Sequence, residues 1–359
     1  MKRGLSLYLE VVRFLAAMGV LLGHSRVLMA PAIPKVLAVH ASECVIVFFL
    51  LSGFVIRFVS RSREQDWRAY ASARAIRLYS VAVPAIVVTL VLDRIGLALA
   101  PEHYAALDFF DGTGRWTEIL TSLAFLNEAW RAHIVVGSNE AYWSLGFEAA
   151  YYVAFSAVFI RSMLWRAAFL LLWLAIFGPL VAAYGLLWLM GAWLYDVVSD
   201  PAKLARIPTP LAWIFIASPL IYPVLKYGVF PPVGSAFHAY DLRLTIIAWC
   251  YAALLASAFG LHIAGVARVV GRAEWIGPRS EQAIRWLAGA TFTIYLMHQP
   301  LIIFFSAIFR TQQRGALVQV GAEVLAFCIL LALAEVGERR KSQIKASMRS
   351  LSRWTLQRG

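Results

Sequence analysis

The feature that most constrains this chain is a series of apolar segments separated by short polar ones. An apolar segment of about 20 residues is long enough to cross a bilayer as a helix. The sequence therefore predicts an all-α fold, a polytopic transmembrane helical bundle of about ten spans. The apolar segments lie near residues 7–24, 43–60, 79–100, 141–160, 167–183, 185–198, 211–226, 243–262, 286–308 and 316–336.

Composition excludes a soluble protein. Hydrophobic residues make up 61% of the chain and charged residues only 15%, whereas about a quarter of the residues are charged in globular domains. The formal net charge of +13 could indicate a nucleic-acid partner, but the basic residues lie between apolar segments and not along one face. We expect the lipid bilayer as a partner and no nucleic acid. Neither histidines nor cysteines show metal-ligand spacing, so no metal is expected.

The basic residues also predict the orientation of the bundle. If the N-terminus is cytosolic, the inner segments carry 23 Lys and Arg and the outer segments carry eight, as the positive-inside rule requires for cytosolic N- and C-termini. Residues 1–338 are expected to form one transmembrane domain that begins with an uncleaved span, because no small-residue cleavage site follows the first segment. Residues 339–359 are expected to form a basic cytosolic tail.

Two details of the segmentation stay open. The boundary near Tyr184 is weak, because 167–198 could form one long broken helix. The inner segment 57–77 interleaves six arginines with aromatic residues, which predicts a helix at the level of the lipid headgroups. Within it, Arg74 and Arg77 are three residues apart and could grip phosphates together, although anionic headgroups would be bound as well.

Polar residues inside spans are expensive, so they usually line a cavity or pair with one another. Arg13 and His24 are eleven residues apart in the first span, which places them about 20° apart around a helix and about 16 Å apart along it. They share one face at different depths. Arg13 is a natural clamp for a thioester-linked or phosphorylated donor. Glu10, three residues before it, could form a structural ion pair with Arg13.

His24 lies at the outer end of this span, where a histidine is either an interfacial residue or a base for a hydroxyl group. Glu148 lies one turn inside the fourth span and needs either a proton or a partner. We expect it to orient His24, because both are near the outer side. Trp143 and Ser144 begin the same span. His298, beside the helix-bending Pro300, is either a packed residue at a kink or part of the site.

The outer segment 101–140 mixes indole, amide, carboxylate and imidazole groups. This mix suits a polar ligand that carries hydroxyl groups. It is equally compatible with a plain surface loop. The residues concerned are Trp116, Asn127, Glu128, Trp130, His133 and Asn139.

Together, five sequence elements in order resemble the acyltransferase-3 family of integral membrane O-acyltransferases that modify bacterial glycans. Two positions depart from the family pattern: Ser80 stands where proline is common, and Gly146 replaces a polar or bulkier residue. The five elements are Arg13 with His24, the run 47–54 (VFFLLSGF), Arg74 with Arg77, the stretch Trp143-Ser144-Leu145 with Glu148, and Tyr295-Leu296 with His298 and Pro300.

The resemblance implies a standalone enzyme of the bacterial inner membrane. Its acyl donor would be cytosolic acetyl-CoA, as a co-substrate, and its acceptor a carbohydrate such as a polysaccharide or lipopolysaccharide on the outer side. A channel through the bundle would have to connect donor and acceptor. The oligomeric state stays unknown. The site residues expected on this basis are His24, Glu148 and Arg13 for catalysis, Arg74, Arg77 and Arg13 for the donor, and Trp143, Ser144 and His298 for substrate binding.

A different class of function also fits the residues. Buried charges and broken helices mark the substrate pathways of transporters and flippases. The sequence shows no inverted repeat that would favour this alternative.

Overall fold

The computed structural model describes residues 2–340 except 39, 63, 65, 111, 113–114, 231–240 and 270–275. The described residues form an all-α bundle that contains no β-strand, only an isolated bridge. The predicted tail 339–359 lies almost wholly outside the described residues. The ten main helices are α1 (Arg3–Leu28), α2 (Ala41–Ser62), α3 (Trp67–Leu99), α4 (Trp143–Phe155), α5 (Met163–Phe177), α6 (Pro179–Val198), α7 (Thr209–Ala217), α8 (Leu242–Val269), α9 (Thr291–Phe309) and α10 (Ala316–Val336).

Each of the ten apolar segments overlaps at least one of these helices, which confirms the predicted all-α polytopic bundle. Seven helices among the described residues are long and apolar enough to cross a membrane, and α5 and α7 are shorter apolar helices. The number of crossings and the cytosolic termini stay predictions. We use "inner" and "outer" for the two ends of the bundle in the orientation that the sequence predicts, so α1 runs from inner to outer.

The fifth and sixth segments are separate helices, but the predicted boundary near Tyr184 is wrong. The break lies at Gly178, whose φ of +85° favours glycine, and Pro179 then occupies the first position of α6. Proline is tolerated there because the first helical N–H groups have no partner within the helix. Tyr184 is buried in the second turn of α6.

The prediction of a headgroup-level helix over 57–77 is also wrong. The segment is divided between the inner end of α2 and the inner end of α3, and the Asp66 carboxylate caps α3 by accepting a hydrogen bond from the N–H of Ala69. Arg57 in α2 forms an ion pair of 2.9 Å with Asp196 in α6. The arginines therefore belong to two long helices.

Two glycines bring α2 and α6 into backbone contact. A Cβ atom at Gly53 would lie 1.9 Å from the carbonyl oxygen of Trp188, and one at Gly191 would lie 1.9 Å from that of Leu50. Small residues permit such close packing between membrane helices. This contact fixes the neighbouring Ser52, whose hydroxyl accepts a hydrogen bond from the Trp188 indole.

The most enclosed helix is α9, in which 15 of the 19 residues are buried. It contacts α1, α3 and α10. Pro300 has no N–H to donate to the carbonyl of Leu296, four residues earlier. That carbonyl instead accepts a hydrogen bond of 2.8 Å from the Asn139 side chain. This hydrogen bond joins α9 to the segment that leads into α4.

Candidate active site

Side chains of five helices, α1, α2, α3, α4 and α9, meet around a narrow cavity in the bundle. Its volume is about 40 Å³, enough for a few water molecules. Two guanidinium groups and one carboxylate are the charged groups in its lining. The polar and aromatic lining residues are Arg13, Phe48, Phe49, Ser52, Arg77, Ser144, Glu148, Thr291, Phe292 and Tyr295.

The inner cluster consists of Arg13, Arg77 and Glu148. Arg77 lies 3.7 Å from the Glu148 carboxylate and 4.4 Å above the ring of Phe292. Among the described residues, Arg13 has neither a hydrogen bond nor an ion pair. Two guanidinium groups and one carboxylate therefore line the cavity, and the carboxylate of Glu338 also acts on both arginines from outside the lining. The guanidinium groups can attract an anionic or strongly polarised group.

Glu148 is held in this inner cluster and not beside His24, so the predicted contact between the two is wrong. The hydroxyls of Ser52, at 3.0 Å, and of Tyr152 both donate to its carboxylate. Glu148 lies one turn deeper along α4 than Ser144, which places it at the level of Arg77. Glu148 therefore belongs to the inner cluster with Arg13 and Arg77.

Arg74 and Arg77 have different partners. Arg74 is 8% exposed and forms an ion pair of 2.7 Å with Glu64. Its guanidinium lies against the rings of Tyr70 and Tyr152, at 5.7 and 5.6 Å from their centroids. The charge of Arg74 is therefore already neutralised by Glu64. Arg74 and Arg77 do not form a preformed phosphate-binding site together.

Glu10 also has another partner than the one predicted. Its carboxylate lies 2.8 Å from the guanidinium of Arg285, near the inner end of the bundle. The spacing of three residues would allow Glu10 to pair with Arg13, but Glu10 instead pairs with Arg285 of another helix. Arg13 therefore lines the cavity without an ion pair to Glu10.

The outer cluster is built on two hydrogen-bonded imidazoles whose rings are nearly parallel. Nδ1 of His24 lies 2.7 Å from Nε2 of His298, and the ring centroids are 5.0 Å apart with an angle of 11° between the rings. Nδ1 of His298 lies 2.8 Å from the carbonyl oxygen of Tyr295 and 3.1 Å from that of Ile294. His298 therefore connects His24 to the backbone of α9.

These contacts assign the protons of the two neutral rings. Because a carbonyl oxygen only accepts, Nδ1 of His298 carries a proton, and its Nε2 must then accept. Nδ1 of His24 is consequently the donor in the bond to His298. Nε2 of His24 is left with its lone pair, the state that a general base requires. His298, which we expected to bind substrate, thus takes the orienting position that we expected for Glu148.

Tyr295 lies between the two clusters. Its hydroxyl is 2.7 Å from that of Ser144 on the cavity side, and its ring centroid is 6.3 Å from that of His298. His24 and His298 are not among the residues that line the cavity. In this structure the cavity does not reach His24, and Tyr295 both lines the cavity and contacts His298.

Trp143 belongs to the aromatic packing beside the cavity. Its ring meets Phe49 and Phe147 edge-on, with centroid distances of 6.3 and 5.3 Å. The departure at Gly146 has a packing reason, because a Cβ there would lie 2.6 Å from Oδ1 of the buried Asn127. The substrate-binding roles of Trp143 and Ser144 stay predictions.

The sequence analysis missed Glu140 and Gln299. Gln299 accepts a hydrogen bond of 2.6 Å from the N–H of Ala141 and donates one of 3.3 Å to the Glu140 carboxylate. The only feature of the sequence that could have indicated a role for Gln299 was its position directly after His298. Among the described residues, no group of three or more His, Cys, Asp or Glu could hold a metal ion.

Comparison with known proteins identifies the family. The sequence model described as an acyltransferase domain, acyltransferase 3, matches residues 6–335, nearly the whole chain. No curated protein and no solved structure matches the chain. The matched range contains both clusters around the cavity. The chain thus belongs to the acyltransferase-3 family and is an integral membrane acyltransferase.

Proposed function

We propose that the protein is an O-acyltransferase of the bacterial inner membrane, which moves an acetyl group from cytosolic acetyl-CoA to a hydroxyl of a cell-envelope or exported glycan. The observation that carries this proposal is the hydrogen-bonded pair of His24 and His298. Their contacts leave Nε2 of His24 unprotonated at the outer end of α1. A sugar hydroxyl needs such a base because it is a weak nucleophile when protonated.

The inner cluster supports a coenzyme A donor. Coenzyme A carries phosphates, and the cavity offers the guanidinium groups of Arg13 and Arg77 against one carboxylate, Glu148. Arg13 can donate several hydrogen bonds to a phosphate or a thioester carbonyl. We assign the donor to this cluster, with Arg77 held in place by Glu148.

In the reaction, Nε2 of His24 takes the proton of the acceptor hydroxyl while the oxygen attacks the thioester carbonyl. The carbon–sulfur bond breaks and coenzyme A leaves as the thiolate. His298 keeps the His24 ring in the reactive tautomer. Because the cavity is narrow and does not reach His24, the acyl arm can pass only after side chains between them, such as Tyr295, move.

The test uses the purified protein in detergent with radiolabelled acetyl-CoA and a set of glycan acceptors. We expect label in the glycan with the wild-type protein and a loss of about 10²- to 10⁴-fold with His24→Ala. His103→Ala, at the outer end but outside both clusters, is the matched control and should retain activity. NMR of the product would identify the acetylated hydroxyl.

Two results would contradict the proposal. One is full activity of His24→Ala. The other is uptake of a glycan into vesicles without acyl-CoA, together with no labelled product, which would indicate a transporter or flippase.

A further inference from the structure

A carboxylate from the segment before α4 is hydrogen-bonded to the residue that follows His298. Glu140 begins the short helix Glu140–Tyr142, and its carboxylate accepts a hydrogen bond from Gln299, the residue after His298. It is the carboxylate whose charge acts on His24. The side chain is partly exposed, so a ligand at the outer end can reach it.

The segment that carries Glu140 is fixed to two helices. The Asp93 carboxylate on α3 accepts a hydrogen bond of 2.8 Å from the N–H of Ser138. The Asn139 side chain donates to Thr89 on α3 and to the carbonyl of Leu296 on α9. The position of Glu140 relative to His24 is therefore set by the bundle.

A second pair of ionisable groups faces Glu140. Nδ1 of His133 donates a hydrogen bond of 2.9 Å to the Glu128 carboxylate. Burial alone would lower the pKa of His133, but this hydrogen bond and the charge of Glu128 outweigh it, so the pKa is raised. The charge of Glu140 acts on both members of the pair.

The local charge follows from these contacts. When His133 is protonated, its charge cancels that of Glu128. His24 and His298 form a neutral pair in the assignment above. Of the groups named here, Glu140 then keeps a negative charge that none of the others cancels.

We propose that Glu140 binds the acceptor beside His24 and makes the enzyme prefer neutral or amine-bearing sugars over acidic ones. This inference rests on the proposed function and names its acceptor class. A carboxylate accepts hydrogen bonds from sugar hydroxyls and more strongly from an ammonium group. It repels a carboxylate or phosphate at the same place, because like charges a few ångströms apart in a partly buried site interact strongly.

The experiment compares three oligosaccharide acceptors that differ only in the terminal residue: glucose, glucosamine or glucuronate. With the wild-type protein, we expect kcat/KM to be about tenfold lower for glucuronate than for glucose, and equal or higher for glucosamine. A tenfold ratio corresponds to about 1.4 kcal/mol. Glu140→Gln should bring the three values together, and Glu140→Lys should favour glucuronate. The KM for acetyl-CoA should not change.

Glu102→Gln is the matched control, because Glu102 is an exposed outer carboxylate outside the cluster. Thermal unfolding of each variant shows whether it is folded, and Glu140→Asp, which keeps the charge, should retain the preference. Equal kcat/KM values for the three acceptors with the wild-type protein would overturn this inference and leave the proposed function standing. An unchanged glucose-to-glucuronate ratio in folded Glu140→Gln would do the same. If the wild-type protein acylates none of them, the proposed function fails and this inference with it.

Discussion

The two polar clusters of the bundle differ in how completely their hydrogen bonds are satisfied. In the outer cluster, the carbonyls of α9, His298 and His24 form a continuous chain of hydrogen bonds that assigns each proton. In the inner cluster, Arg13 has no partner in the described part of the chain, and Nε of Arg77 is buried without one.

A guanidinium group without a hydrogen-bond partner is costly inside a membrane bundle, so we propose that a ligand supplies the missing partner of Arg13. A fully bonded chain indicates instead that one orientation and one tautomer must be kept. We therefore propose that the inner cluster binds an anionic ligand and that the outer cluster keeps a general base in its reactive tautomer.

Among the variants that test this contrast, the largest expected effect concerns Arg13. Arg13→Ala should lower kcat/KM for the acyl donor by about 10²- to 10³-fold, as removal of a buried donor to a developing charge typically does. Arg13→Lys should recover only part of this loss, because lysine keeps the charge but lacks the planar fork. Steady-state kinetics with varied acetyl-CoA measures both.

The matched control is Arg61→Ala, since Arg61 lies at the inner end of α2 and pairs with Asp196. Its donor kinetics should resemble those of the wild type. A kcat/KM for the donor that is equal in Arg13→Ala and in the wild type would show that Arg13 does not act on the donor.

The next effect tests the orienting role of His298. His298→Phe removes the acceptor for Nδ1–H of His24 and should lower kcat by about 5- to 150-fold, from about 1–3 kcal/mol for a buried donor left without its partner. His298→Gln offers an amide oxygen and should recover part of the activity. Both variants should bind acetyl-CoA with the affinity of the wild type. Equal losses in the two variants would favour packing over orientation.

Glu148→Gln should have a smaller effect, confined to the inner cluster. The amide can keep the hydrogen bonds from Ser52 and Tyr152, but the ionic attraction to Arg77 at 3.7 Å is lost. We expect the KM for the donor to rise about tenfold, or about 1.4 kcal/mol, with no change in the KM for the acceptor. Glu335→Gln, at the half-exposed inner end of α10, is the control. A changed KM for the acceptor in Glu148→Gln would indicate that Glu148 acts at His24 after all.

The contrast between the clusters also shows what the sequence could predict. Hydropathy located the ten helices, and helical geometry placed Arg13 and His24 on one face of α1, because both signals are properties of a single segment. The partners of Glu148 and Arg74 were predicted wrongly or incompletely, since periodicity gives depth and face but not which helix lies opposite. Glu140 lies in an irregular segment, where no periodicity exists to indicate its direction.

The smallest expected effect concerns the pair Glu128 and His133. The raised pKa of His133 means that protonation stabilises the fold fully below about pH 6.5, the unfolded-state pKa of histidine, and that this contribution is lost as the pH rises through the higher folded-state pKa. His133→Gln should lower the unfolding temperature by about 1–3 °C at pH 5.5, from roughly 0.5–1 kcal/mol for a partly exposed pair.

The difference between His133→Gln and the wild type should shrink at pH 8.5, which thermal unfolding at both pH values would measure. A difference of the same size at both values would mean that packing, and not the proton, stabilises this pair. Loss of the proton also leaves Glu128 uncompensated beside Glu140, so the outer cluster becomes more negative. The wild-type preference for glucose over glucuronate should therefore increase with pH, whereas the inner cluster, whose cations stay charged, should keep its affinity for the donor.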